Sequence, residues 1–171
     1  SKSNQLTVSD KINIFKNHCT DKNIKETFDN LSFENCHFMF PLLCRIFAAS
    51  DKYLENPKAL FDHPVDCVKN ELDKMAKMQK TQYAVLVLCM MNTKKISSTN
   101  KPLTSINENL TQDIFDSCSD FANPTNSQIN QALQHLSGTY LTKYGDHYTF
   151  IHDSIYEIVA YHFGKQHVEL M

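Results

Sequence analysis

Glycine is scarce in this chain, with three residues among 171. A phosphate loop of the pattern G-x-x-x-x-G-K-[ST] and the turn of a dinucleotide-binding fold both need clustered glycines, and the sequence contains neither pattern. The nucleophile elbow G-x-S-x-G is absent too, although hydrolases of that type depend on it. We therefore expect no catalytic centre within the chain and do not predict it to be an enzyme.

The six cysteines never form a C-x-x-C pair, which argues against a zinc ribbon or a thioredoxin-like site. Cys44, Cys67 and Cys89 stand among apolar neighbours. Buried free thiols are typical of the reducing cytosol. We therefore expect a cytoplasmic protein without a bound metal.

Strong charge of either sign is lacking, since the formal net charge is -2 and the pI is about 6.4. Neither value is typical of a protein that binds nucleic acid or a membrane surface. A membrane span needs about 20 apolar residues, and the longest apolar run, 83–91, is less than half of that. We expect no membrane partner.

Apolar residues recur at helical spacing over most of the chain. Ser9 or Asp10 can cap the first helix, and Gly138 and Gly164 are suited to end two later ones. The polar segment 93–110 is predicted to be a surface loop. The helices are predicted over 8–18, 21–30, a dense apolar segment after Ser32, 58–61, 64–79, 83–92, 111–121, 127–137 and the stretch from Ser154 to Phe163.

Two β-prone runs, 139–142 and 147–151, surround Tyr144, Gly145 and Asp146, which predicts a hairpin. Three helices, a hairpin and a last helix follow the order of a winged helix with an appended C-terminal helix. The predicted fold is therefore mainly α, with a small helical subdomain over 1–62 and a connector helix and winged helix over 63–171.

Many winged helices bind DNA through their third helix. In this chain that helix carries neither lysine nor arginine, and the wing offers only Lys143. Phosphate neutralisation needs several cations on the docking face. The pattern argues against nucleic acid and favours another protein domain as the partner of this face.

His152 and Asp153 stand at the end of the wing strand, directly before a predicted capping box of Ser154 and Glu157. The free N–H groups of a helix N-terminus favour a phosphate. In the alternative interpretation, His152 bonds a backbone carbonyl while Asp153 helps to cap the helix. Residue chemistry alone leaves both interpretations open and favours the second.

The run 148–164 resembles the winged-helix end of STAND NTPases, the signal-transduction ATPases related to NACHT and NB-ARC proteins, and is most similar to the "novel STAND" group. His152 and Asp153 match the second and third residues of the family's MHD motif. Pro41 matches the proline of its G-x-P segment, with Met39 in the glycine position.

This resemblance implies a helical lid over 1–62 and a non-catalytic regulatory module of a switch in signal transduction and innate immunity. His152, Asp153 and Pro41 would contribute to nucleotide binding, with His152 on the β-phosphate of ADP in the inactive form and Pro41 near the adenine. ADP or ATP would bind only together with an N-terminal ATPase domain, and the isolated chain would hold no cofactor.

The partners implied are the ATPase core of the same protein and other protein domains. Because Ser1 is not a natural start, we expect the chain to be part of a longer protein. The alternatives are a stand-alone winged-helix domain that binds proteins and, less favoured, a DNA-binding winged helix.

Overall fold

The structure, a computed structural model, describes residues 6–19, 31, 33, 36, 39–49, 51–92, 95–97, 108–118 and 124–167. Residue contacts divide the chain into two compact units, Ser1–Cys67 and Val68–Met171. Each unit is considered by itself below. The sequence-based division between 62 and 63 concerns folding domains and stays a prediction.

Unit 1 is helical in its described part. Its elements are α1 (Val8–His18), α2 (Phe40–Ala49), a single 3-10 turn (Asp51–Tyr53), α3 (Pro57–Asp62) and the first residues of α4 (Pro64–Met78). The helix predicted over 21–30 lies outside the described residues.

The first helix begins with a capping box, but at a different residue from the predicted one. The Thr7 hydroxyl accepts a hydrogen bond from the Asp10 backbone N–H at 3.1 Å, and the Asp10 carboxylate accepts one from the Thr7 N–H at 3.0 Å. The Thr7 hydroxyl also donates to this carboxylate, at 2.7 Å, and that bond together with the one from the Thr7 N–H lowers the pKa of Asp10. The prediction of Ser9 or Asp10 as the cap was wrong, because Asp10 is the acidic partner of the box.

Five phenylalanine rings form the core of unit 1. Phe61 of α3 is central, with its ring centroid 5.6–5.9 Å from those of the other four. The other rings belong to Phe15, Phe33, Phe40 and Phe47. Lys11 is buried as well, and its ammonium donates to the Phe33 carbonyl at 2.7 Å. That bond ties α1 to the segment that precedes α2.

Unit 2 combines helices with a small sheet. After the C-terminal part of α4 come α5 (Lys80–Met91), β1 (Lys95–Ser97), α6 (Glu108–Cys118), α7 (Asn126–Leu136), β2 (Leu141–Tyr144), β3 (His147–Phe150) and α8 (Asp153–Gln166). The antiparallel sheet has the order β1-β3-β2. The mainly helical fold with a wing hairpin and an appended C-terminal helix is therefore confirmed.

The segment 93–110 differs from the predicted loop. Its residues Lys95–Ser97 form β1, which pairs with β3, and α6 already begins at Glu108. The strand was missed because it is only three residues long, and its pairing with β3 leaves no local periodic pattern.

Two predicted helix ends have different outcomes. Gly138, which follows α7, has a φ of 89°, in the left-handed region that favours glycine at a helix end. Its predicted role is confirmed. Helix α8, in contrast, continues through Gly164 to Gln166, so the predicted end at Phe163 was wrong. One internal glycine costs a helix only about 1 kcal/mol.

Helix α5 is the centre of unit 2. Every residue from Tyr83 to Met90 is buried, and α6, α7 and α8 all pack against this helix.

None of the helices in the described part of the chain combines the length and apolarity that crossing a membrane requires.

The cysteines of the described residues are all free thiols. Cys44 and Cys89 are fully buried, as predicted, whereas Cys67 is only half-buried. The prediction for Cys67 was wrong, because its position in the first turn of α4 leaves one side open to solvent. Burial raises the pKa of Cys89 from an ordinary 9.0 to about 12.

This difference predicts the order in which thiols are alkylated. At pH 8, Cys89 has a thiolate fraction about a thousandfold below that of an ordinary cysteine, since only the thiolate reacts. Iodoacetamide should therefore label Cys67 well before Cys89 in the native chain, as read by peptide mass spectrometry. In denaturant the two should react alike. Equal native rates at both positions would contradict the burial of Cys89.

Candidate functional site

His152 lies between the wing and the last helix. It follows β3 by two residues, has an extended backbone (φ -160°, ψ 148°) and is the N-cap of α8. Its side chain is exposed. The imidazole therefore stands at a helix N-terminus in contact with solvent, as the phosphate interpretation of the sequence requires.

The imidazole itself caps the helix. Its Nδ1 accepts a hydrogen bond from the Ser154 backbone N–H at 3.1 Å. The predicted box of Ser154 and Glu157 was wrong, because Ser154 already lies inside the helix. In the alternative, His152 bonds a backbone carbonyl. That part was wrong, because the bond runs from a backbone N–H to Nδ1 of His152.

The chain around His152 is fixed on both sides. The Ile151 N–H donates to the Tyr140 carbonyl at 2.9 Å, which ties the residue before the cap to the start of the wing. Phe150 packs edge to face on Tyr156 in the first turn of α8, with ring centroids 5.5 Å apart. A contact of this kind sets the direction in which the chain enters the helix. The position of the imidazole is therefore set by its neighbours.

The cap also determines which ring nitrogen of His152 can bind a ligand. A backbone N–H can only donate, so Nδ1 carries no proton when it accepts from Ser154. The neutral ring then has its proton on Nε2. This N–H is a donor without a partner among the described residues, and it lies next to the positive end of the α8 dipole.

Asp153 is the first residue of α8 and is exposed. A carboxylate in the first turn stabilises a helix through its dipole, but it repels a phosphate at the same place. Of the two residues, His152 is therefore the one suited to donate a hydrogen bond to a phosphate. Asp153 stabilises the start of the helix.

Pro41 is the second residue of α2 and is exposed, in a position where proline is well tolerated because the missing N–H has no intrahelical partner. Met39 precedes the helix with a φ of 50°. This left-handed conformation favours glycine. The residue in the glycine position of the G-x-P segment thus has the backbone that glycine adopts readily. Pro41 belongs to unit 1 and His152 to unit 2.

The outer face of α7 is polar but uncharged. Gln131, Gln134 and His135 are exposed, and His135 Nδ1 lies 3.0 Å from the amide nitrogen of Gln82 on α5. At the wing, a side-chain hydrogen bond between His147 and the Asp146 carboxylate lowers the pKa of Asp146. Lys143 lies over the Tyr148 ring. Neither element presents the row of cations that a DNA backbone requires.

The sequence missed a second polar cluster in unit 2. His162 of α8 is only 6 % exposed. Its Nδ1 lies 2.8 Å from the Tyr83 hydroxyl and its Nε2 lies 3.0 Å from a carboxylate oxygen of Asp73. The ring is buried because position 162 falls on the apolar stripe of Ile155 and Ile158, which faces inward.

Among the described residues, no three His, Cys, Asp or Glu side chains are grouped as ligands of a metal ion.

Comparisons with protein-family models, with curated proteins and with solved structures gave no match.

The backbone of Met39 leads to a stability prediction. A non-glycine residue in the left-handed region is strained by about 1–2 kcal/mol. Met39→Gly should therefore be more stable than Met39→Ala by roughly 1 kcal/mol. Alanine is the matched control, because both variants lose the same side chain. Urea denaturation followed by circular dichroism would measure the difference, and a more stable alanine variant would refute the left-handed backbone.

The cap at His152 predicts a contrast between two substitutions. His152→Ala removes the acceptor and should destabilise α8 by about 1 kcal/mol. Ser is a preferred cap, so His152→Ser should be at least as stable as the unsubstituted chain. The same denaturation experiment measures both. If serine and alanine destabilised the chain equally, the imidazole would not be the cap.

Proposed function

We propose that this chain is the lid and winged-helix part of a signal-transduction ATPase of the STAND type. In this role the chain is regulatory and catalyses nothing. The inactive state is held by ADP, which the ATPase core of the same protein binds and which His152 contacts from the winged helix. The observation that carries the proposal is the exposed imidazole of His152, which caps the start of α8.

Three properties of His152 suit it to a phosphate. The ring is exposed, its orientation is fixed by the bond to Ser154, and the remaining Nε2–H points away from that bond. A donor held in advance loses little freedom on binding. The dipole of α8 adds attraction for an anion at the same place. ADP supplies two phosphates, and the residues present fit one of them.

The left-handed backbone of Met39 supports the lid half of the proposal. It reproduces, at the position that the resemblance assigns to glycine, the conformation for which glycine is suited. Pro41 then begins α2 on an exposed face. In the proposed role, this segment lies beside the adenine.

Such an arrangement works as a switch only if nucleotide affinity differs between two positions of the winged helix. ADP stabilises the position in which His152 is within bonding distance. Exchange for ATP removes that contact and frees the winged helix to move. The uncharged outer face of α7 then offers its amide groups to protein partners, which makes DNA the least favoured ligand.

The proposal predicts the effect of His152 on nucleotide release. A hydrogen bond to a charged group contributes about 1.5–3 kcal/mol, so its loss should speed ADP dissociation roughly 10- to 100-fold. His152→Ser is the variant of choice, because it keeps the cap and loses the donor. The measurement is the release of fluorescently labelled ADP from the natural protein that contains this chain, together with its basal signalling, which should rise.

His135→Ala is the matched control, since it removes another exposed histidine of unit 2 and should leave ADP release unchanged. An unaltered ADP off-rate in His152→Ser would refute the role of His152. The natural sequence that precedes the chain gives a separate test. A phosphate loop and an acidic, Mg²⁺-binding strand are expected there, and a natural protein without them would favour the stand-alone interaction domain.

A further inference from the structure

A hydrogen-bonded cluster of three polar side chains crosses the core of unit 2. Its middle member is His162 of α8, with Tyr83 of α5 on one ring nitrogen and Asp73 of α4 on the other. Tyr83 is 1 % exposed. Buried polar groups are costly unless they are paired, and here each group has a partner. The three helices are therefore joined at one point by hydrogen bonds as well as by apolar packing.

The donors and acceptors of this cluster can be assigned. An ionised carboxylate only accepts, so His162 Nε2 donates to Asp73. In the neutral ring, Nδ1 then accepts from the Tyr83 hydroxyl. Removal of either partner leaves one ring nitrogen of His162 unsatisfied in a place that water reaches poorly.

The two hydrogen bonds of this cluster differ in their access to water. The Asp73 side chain is 50 % exposed, whereas that of His162 is 7 % exposed. Two cavities of about 370 Å³ and 240 Å³ adjoin Asp73. The bond between Tyr83 and His162 is thus internal, and the bond between His162 and Asp73 lies at the surface of the unit. Of the two bonds, the outer one is the bond that water reaches.

The surroundings of Asp73 lower the cost of that opening. The side chains that line the two cavities include four lysines, Lys69, Lys77, Lys80 and Lys165. A carboxylate that leaves His162 is hydrated and remains close to positive charge, so it is not left as an isolated buried ion. The carboxylate can therefore leave His162 without becoming an isolated buried charge.

Asp73 also has a special place in the chain. Unit 1 ends at Cys67 and unit 2 begins at Val68, and both residues lie in α4. This helix is therefore the covalent link between the two units. Asp73 lies one and a half turns beyond the division, so its bond to His162 fastens the linking helix to the winged-helix unit.

We propose that the bond between Asp73 and His162 is a releasable latch, which adds to the packing of the buried Val68, Leu72 and Met75 in holding the C-terminal half of α4 on the rest of unit 2. Its opening lets this segment loosen while α5 and α8 stay folded. The proposal does not rest on the role of His152, since neither nucleotide nor an ATPase core enters it. It assigns a conformational role to a polar cluster that the nucleotide switch does not use.

Hydrogen–deuterium exchange of the whole chain tests the latch. Asp73→Ala should raise the exchange of amides in 68–78 by about five- to tenfold, because the opening of α4 becomes easier by roughly the contribution of one half-exposed, charged hydrogen bond. Amides of α5 and α8 should keep their protection. Asp73→Asn keeps an oxygen acceptor for Nε2 and should restore most of the protection of α4.

Two further variants separate a latch from a general contribution to stability. Asp116→Ala removes another carboxylate that lines the larger cavity, one bonded to Gln112 and not to His162. It should change nothing in α4. Tyr83→Phe breaks the internal bond only, so it should raise exchange throughout unit 2 without selecting α4.

Two outcomes would overturn the latch. In one, Asp73→Ala leaves the exchange of 68–78 as in the unsubstituted chain. In the other, it raises the exchange of α4 and α5 equally, as a purely structural contact would. If Asp73→Ala does not fold, His162→Phe is compared with Tyr83→Phe, because the first removes both bonds and the second removes only the internal one. The latch requires a larger rise of exchange in 68–78 for His162→Phe, and equal rises would overturn it.

Discussion

Helix α5 is the constraint on which unit 2 depends. A helix that is buried from Tyr83 to Met90 has no solvent face, so other elements must cover it on every side. Among the described elements, helices α6, α7 and α8 pack against it, and β1 and β3 contact it as well. The short polar strand β1 thus lies beside a buried helix, although its own sequence predicts a loop. The same burial forces the Tyr83 hydroxyl to find a partner inside the core, and His162 is that partner.

The sequence predicted elements whose signal is local. The ends of α1 agree with the predicted 8–18, and Gly138 and Gly145 both have the positive φ that their predicted end and turn require. The failures lie where distant residues decide. Strand β1 is defined by its pairing with β3, some fifty residues later in the chain, and a strand of three residues carries too little periodicity to be recognised. Helix α8 passes through Gly164 because packing outweighs a small local cost.

The candidate site was predictable in its order of residues but not in its geometry. The sequence indicated a histidine between a strand and a helix. It assigned the cap to Ser154 because serine is preferred there. The bond from Ile151 to the Tyr140 carbonyl prolongs the extended chain to His152, and no local pattern contains that bond. His162, by contrast, could have been found, since it follows Ile155 by seven residues and Ile158 by four, the spacing of a single helix face. The left-handed backbone of Met39 has no counterpart in the residue type.

Both proposals concern α8. His152 lies at its N-terminus in contact with solvent, and His162 lies inside the core about 15 Å further along the helix axis. One helix fixes the distance between the two imidazoles, so they move together with the winged-helix unit. A ligand at His152 changes the latch only if it binds the latched and the released forms with different affinity. In the two proposals, a nucleotide on His152 would hold the position of the winged helix, and the bond to Asp73 would hold the C-terminal half of α4 on the same unit. Because the two contacts use different groups, His152→Ser acts on the first without touching the second, and the coupling between them becomes a measurable quantity.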